Sequence, residues 1–150
     1  MLKEGTKAPA FSLPDETGKN ISLADFAGKK VVVYFYPKDD TPGCTKEACS
    51  LRDNYDTILG KGAVVIGVSK DDGESHKKFK AKYDLPFYLV SDADGEMIKA
   101  YGAWGTKSMY GKEYEGIMRY TYVIDESGTV IKAFEKVNTE KHGEEILAVL

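Results

Sequence analysis

Val31-Val32-Val33-Tyr34-Phe35-Tyr36 is an unbroken apolar run that stops at Pro37. Proline lacks the N–H that a sheet ladder needs, so a strand ends there. A strand that is apolar at every position must be covered on both faces. A second such run, Ala63-Val64-Val65-Ile66-Gly67-Val68-Ser69, lies further along. Between the two, Cys44, Ala48, Leu51, Tyr55, Ile58 and Leu59 recur at helical spacing, and Gly60 and Gly62 close the segment. Strand, amphipathic helix and strand, with both strands buried, define a parallel βαβ unit. Both cysteines of the chain, Cys44 and Cys49, fall where the first strand hands over to the helix.

The remaining segments fill in an α/β fold. Ala10-Phe11-Ser12-Leu13 and Asn20-Ile21-Ser22-Leu23 alternate about a turn at residues 14–19, which predicts an N-terminal β-hairpin. Asp71-Asp72-Gly73 opens a helix through about Tyr83 with Phe79 and Tyr83 inward, and Phe87–Ser91 is a third strand. A short helix spans Gly95 to Tyr101. Residues 102–118 read as a Gly- and Tyr-rich irregular loop, and segments of that length are usually functional or mobile. Tyr120–Asp125 and Thr129–Phe134 flank Glu126-Ser127-Gly128 as an antiparallel hairpin. Thr139 is the expected cap of a last helix carrying Ile146, Leu147, Val149 and Leu150. The expectation is a central mixed β-sheet flanked by helices, in one domain over residues 1–150, with no repeat or linker.

Charge narrows the functional classes. Lys+Arg 21 against Asp+Glu 24 gives −3, which offers no basic field for nucleic acid. The N-terminal residues are polar and no apolar run approaches ~18 residues, so a soluble cytoplasmic protein, not a membrane one, is expected. A 150-residue domain buries about 68–70% of its unfolded surface. It therefore needs no disulfide staple, and in a reducing compartment two close cysteines indicate redox or metal chemistry. His76 and His142 are isolated, read as exposed helix residues, and no C-x2-C pair exists, which argues against a metal.

The thiolate is the nucleophilic form of cysteine, and a free thiol is only a few per cent ionised at neutral pH. Thr41-Pro42 has the pattern of an N-cap followed by a first helical residue, which sets Cys44 in the first turn. Unpaired N–H groups and the helix dipole there favour an anion. Favouring it a hundredfold takes about 2.7 kcal/mol, whereas a helix terminus supplies about 1 and at most ~2 kcal/mol. A cation from elsewhere is required. Arg52, on the same helix, and Arg119, just before a later strand, are the candidates; Arg52 fits better as a surface partner of Asp53 or Asp56. Glu47 reads either as a partner for an arginine or as a solvated first-turn acid.

These residues also carry a resemblance. Pro37-x-x-x-Thr41-x-x-Cys44 resembles the active-site motif of the peroxiredoxins. Thr41-Pro42-Gly43-Cys44-Thr45 with Glu47, Ala48 and Cys49 resembles its Q-type (bacterioferritin-comigratory-protein) form. Gly116-Ile117-Met118-Arg119-Tyr120-Thr121-Tyr122-Val123-Ile124-Asp125 is similar to the segment holding that family's active-site arginine. The resemblance covers nearly the whole chain. It implies a thioredoxin-like fold, no metal or organic cofactor, and reduction of peroxides with a thioredoxin-type protein as reductant. It further implies that Cys44 is the peroxidatic cysteine and Cys49 the resolving one. Thr41 would hydrogen-bond peroxide and sulfur, Pro37 would shield the pocket, and Arg119 would be the cation. A monomer fits a resolving cysteine in the same chain.

Residues five apart on a regular helix have Cα atoms about 8.6 Å apart, from a ~1.5 Å rise and ~100° turn per residue. A disulfide needs less than about 7 Å. Bonding Cys44 to Cys49 thus demands that roughly residues 42–50 unwind. Two other functions remain at this point. A general thiol–disulfide oxidoreductase shares the fold but uses Cys-x-x-Cys and a cis-proline, and this chain has Cys-x4-Cys and no proline between Gly116 and Tyr120. A non-catalytic holdase would require large exposed apolar patches.

Overall fold

The computed structural model describes all 150 residues. A five-stranded sheet runs in the order β5-β4-β3-β8-β9. Its strands are β3 (Lys30–Phe35), β4 (Ala63–Ser69), β5 (Tyr88–Ser91), β8 (Thr121–Ile124) and β9 (Val130–Phe134). β3, β4 and β5 are parallel, while β8 and β9 add antiparallel strands at the other side. The sheet is therefore mixed. β1 (Ser12–Pro14) and β2 (Asn20–Ser22) form the N-terminal hairpin, and α3 (Gly73–Tyr83) and α4 (Glu96–Ala100) fall where the periodicity puts them.

β3 shows why its sequence is apolar throughout. Val31, Val33 and Phe35 join a core with Phe11, Phe26, Ile98 and Tyr122 on one face. Val32, Tyr34 and Tyr36 join a second core on the other, with Cys44, Ala48, Leu51, Ile58, Phe79 and Ile146. Successive side chains of a strand point to opposite faces, so each layer takes every second residue. The second core is where α1 (Pro42–Asp53), α2 (Tyr55–Gly60), α3 and α5 (His142–Leu147) meet the sheet.

Packing above β4 is tight at Gly67, which pairs with Tyr34. A Cβ there would stand 2.8 Å from both the Tyr34 ring and Leu89 Cδ2. Neither neighbour has room to move, since both are wholly buried. Gly67→Ala is expected to cost about 1–3 kcal/mol by overpacking, read as a lower denaturant midpoint at unchanged slope.

Four expectations need correction. The single helix expected from Cys44 to Leu59 is two, broken at Asn54. Its side-chain Nδ2 donates to the Ser50 carbonyl at 2.8 Å, taking the acceptor a continuing helix would use, and its backbone N–H bonds Leu51 instead. Residues 102–118 are no irregular loop: β6 (Trp104–Met109) and β7 (Lys112–Ile117) form an antiparallel ribbon. Tyr110 and Gly111 both take positive φ, 53° and 77°, as a two-residue hairpin turn of the strand-matched hand requires. The last helix begins after Lys141, not Thr139. Finally, His76 and His142 are fully buried, not exposed.

Candidate active site

Thr41 occupies the N-cap of α1 with extended backbone, and Pro42 is the first helical residue. The hydroxyl does not cap, however: it donates back to the Lys38 carbonyl at 2.9 Å. The amides of Gly43 and Cys44, at the second and third helical positions, have no acceptor within the helix. Cys44 therefore sits in the first turn, as expected. It is 1% exposed and belongs to the second core.

The required cation comes from far along the chain. The Met118–Tyr120 connection is pinned by bonds from Met118 N to Ala103 O and from Phe35 N to Tyr120 O. From there Arg119 Nη2 reaches Cys44 Sγ at 3.4 Å, and its Nη1 donates to Glu47 Oε1 at 2.8 Å. Gly43 makes room for this approach, since a Cβ there would lie 3.2 Å from Nη2. Arg52 goes elsewhere, to Asp53 and the Tyr83 carbonyl. Burial works against the Arg119 charge, but Glu47 and Cys44 outweigh it and hold the guanidinium above its ordinary value.

Glu47 is not a solvated acid but a fully buried one. Burial pushes its carboxyl up to about 7 against the pull of Arg119. Its other oxygen has no hydrogen-bond partner and lies 3.7 Å from His142 Nε2. Burial holds His142 below the usual histidine value, which favours the neutral ring. Its Nδ1 then donates to Glu145 and its Nε2 accepts from the Thr121 hydroxyl, both at 2.9 Å. Glu47 was hinted at by its place three residues after Cys44 on the inward face, whereas no periodicity points to His142, whose partners lie on β8 and its own helix. A further cation, Lys107 of β6, lies within the field of Arg119 and Cys44.

The structure thus brings together Cys44, Arg119 and Glu47. Thr41 stands three residues ahead of Cys44, and its hydroxyl bonds Lys38. Pro37 is exposed at the end of β3. Cys49 is a free thiol, partly exposed, one and a half turns along the same uninterrupted helix from Cys44. A thiol in the first turn of a helix with a guanidinium in reach of its sulfur is the arrangement of a nucleophilic-cysteine site.

Comparison with known proteins agrees with that chemistry. The AhpC/TSA family model matches residues 5–133. A putative peroxiredoxin bcp of Coxiella burnetii is 48% identical over 149 residues, covering 99% of each chain. Peroxiredoxin Bcp of Bacillus subtilis is 46% identical, over 99% of this chain and 95% of its own. Among solved structures, a cysteine-to-serine variant of PrxQ from Xylella fastidiosa superposes with a TM-score of 0.92 at 31% identity, over 99% and 95% of the two chains. The bacterioferritin comigratory protein of Xanthomonas campestris gives 0.87 at 37% identity, over 93% and 88%. The chain belongs to the AhpC/TSA family, with the thioredoxin-like fold of a peroxiredoxin, and is a thiol-dependent peroxidase of the Bcp type. No helix is long and apolar enough to cross a membrane.

Proposed function

We propose that the protein reduces hydrogen peroxide and organic hydroperoxides through Cys44 and is recycled through a Cys44–Cys49 disulfide. The observation that carries this reading is Arg119 Nη2 at 3.4 Å from Cys44 Sγ in the first turn of α1. The Cys44 thiolate attacks the terminal peroxide oxygen. The O–O bond breaks, Cys44 becomes a sulfenic acid, and the leaving oxygen takes a proton to give water or an alcohol. Arg119 donates to the oxygen on which negative charge builds. Thr41, whose own proton is committed to Lys38, has lone pairs to accept from the peroxide O–H. Pro37 shields the thiolate's mouth from the strand end. The Cys49 thiol condenses with the sulfenic acid, releasing water, and a thioredoxin-type dithiol exchanges with the disulfide to restore both thiols. Resolution inside one chain needs no second subunit, which supports a monomer, at work in the reducing cytoplasm.

The regular helix through Cys44 and Cys49 holds the two thiols too far apart to bond. Unwinding from Pro42 is expected to stop at Ser50, whose hydroxyl accepts from Gly143 N of α5 at 2.9 Å. Hydrogen exchange should therefore show the amides of residues 45–53, whose acceptors are the carbonyls of residues 41–49, losing protection in the disulfide form while Asn54, which bonds the Leu51 carbonyl, and the residues after it keep theirs. Equal protection in both redox forms would refute the unwinding.

The function is tested by following peroxide consumption with thioredoxin, its reductase and NADPH, and by mapping the disulfide in the non-reduced, peroxide-treated chain. Turnover and a Cys44–Cys49 linkage are expected. No peroxide turnover with any dithiol, with protein disulfides reduced instead, would establish a general thiol–disulfide oxidoreductase.

A further inference from the structure

Residues 36–41 link β3 to α1 and carry Thr41 to the thiol. Helix α3 grips this loop at two successive acids. At Asp40, which takes a left-handed φ of 56°, Lys82 Nζ and the Tyr83 hydroxyl each donate to the carboxylate at 2.8 Å. At Asp39 the grip is buried. His76 Nδ1 meets Asp39 Oδ2 at 2.7 Å and the Ser75 hydroxyl donates to the same oxygen at 2.8 Å, while the Tyr36 hydroxyl donates to Oδ1. The Asp39 backbone N–H in turn donates to Asp71 Oδ2 at 2.8 Å.

The other His76 nitrogen, Nε2, lies 3.1 Å from the Val90 carbonyl of β5. Carboxylate and carbonyl oxygens both only accept, so both ring nitrogens must carry a proton. The side chains of His76 and Asp39 are 0% and 3% exposed. Removing either charge would leave the other buried without its counter-charge, a far larger loss than that of a surface pair.

We propose that Asp39 and His76 are positioning residues of the peroxidase reaction: an imidazolium tied to β5 fixes Asp39, hence the adjoining Lys38 carbonyl, hence the Thr41 hydroxyl that the carbonyl orients. This role rests on the peroxidase chemistry proposed above. The groups facing His76 are Asp39 and Tyr36 from the loop, Asp71 from the β4–α3 connection, and the Val90 carbonyl. Burial opposes the ring's charge, but Asp39 outweighs it and raises His76 above the ordinary histidine value. The tether is whole at neutral pH and is lost as pH rises through that raised value.

The test is a double-mutant cycle of His76→Gln and Thr41→Val, read as kcat/KM for hydrogen peroxide, with nitrogen-15 spectra of the wild-type imidazole. Misplacing the Thr41 hydroxyl should lower kcat/KM by about ten- to a hundredfold. In the Thr41→Val background the same substitution should cost less than about threefold, because the two act through one hydroxyl. Both ring nitrogens of His76 should be protonated at pH 7. Additive effects, an unchanged kcat/KM in His76→Gln, or a neutral ring at pH 7 would each overturn the proposal. Asp39→Asn, which keeps the shape of the loop, takes the place of His76→Gln in the cycle if that variant does not fold. A wild type without peroxidase activity would sink the functional reading instead, whereas the spectra report on the ion pair regardless of activity.

Discussion

Cys44→Ser is expected to fold and to consume no peroxide above background, a loss of at least about 10⁴-fold such as follows removal of a catalytic nucleophile. A serine hydroxyl at this position meets the same free amides and the same guanidinium, yet it is not ionised and its oxygen is a poor nucleophile toward a peroxide. The fold should survive, because the side chain shrinks only slightly inside a core that already accommodates a polar sulfur beside Arg119. Cys49→Ser separates the two thiols. Cys44 keeps its surroundings, so the variant should destroy about one equivalent of peroxide at close to the wild-type rate, then stall as a sulfenic acid with no partner. Steady-state turnover with thioredoxin should drop at least about tenfold, since the exchange step has no disulfide to attack. Rapid-mixing measurement of peroxide loss, beside intact-mass analysis, distinguishes the two variants. A normal single turnover in Cys44→Ser would remove Cys44 from the reaction.

What the sequence made legible followed from periodicity. β3 and β4 are read from continuous apolar runs, the helices from their inward residues, and the β8–β9 hairpin from its Ser-Gly turn. The β6–β7 ribbon escaped because Thr106, Ser108, Met109, Tyr114 and Glu115 are all exposed, so no buried face imposes an alternation. Its turn also uses Tyr-Gly rather than the usual Asn-Gly. At the site, Cys44 and its helix start were readable from Thr41-Pro42. Arg119 was legible only as one of two candidate cations until the family resemblance singled it out, since 75 residues separate it from Cys44 and only the pairing of β8 beside β3 joins them. Buried polar groups are the hardest class. His76 reads as exposed in the sequence, although it lies three residues before Phe79, on the inward face of α3, a spacing that could have marked it as buried. Its partner Asp39, in a loop 37 residues earlier, follows no period at all.

Arg119→Met should lower kcat/KM for peroxide by about 10²–10³, the effect of deleting a donor aimed at developing negative charge in a largely dry site. Methionine keeps much of the length and volume, so the packing against Gly43 changes little while the charge goes. The stability loss should stay near 1–3 kcal/mol, the worth of hydrogen bonds made by a charged group, because Glu47 need not remain an unpaired anion. Its carboxyl already titrates at about 7, and without the arginine it takes up a proton. Glu47→Gln provides the contrast. The amide oxygen still accepts from Arg119, the guanidinium stays beside Cys44, and kcat/KM should fall less than about tenfold. The two variants also differ in how stability depends on pH. Glu47 binds its proton more tightly in the folded chain than unfolded, so the wild type should lose stability as pH rises from about 4.5 to about 7. Glu47→Gln should lack that slope. Denaturant titrations across this range, run beside the kinetics, decide whether Arg119 acts on the reacting oxygen or merely holds Glu47 in place. If Glu47→Gln lost as much activity as Arg119→Met, the carboxylate and not the cation would be the group the reaction needs.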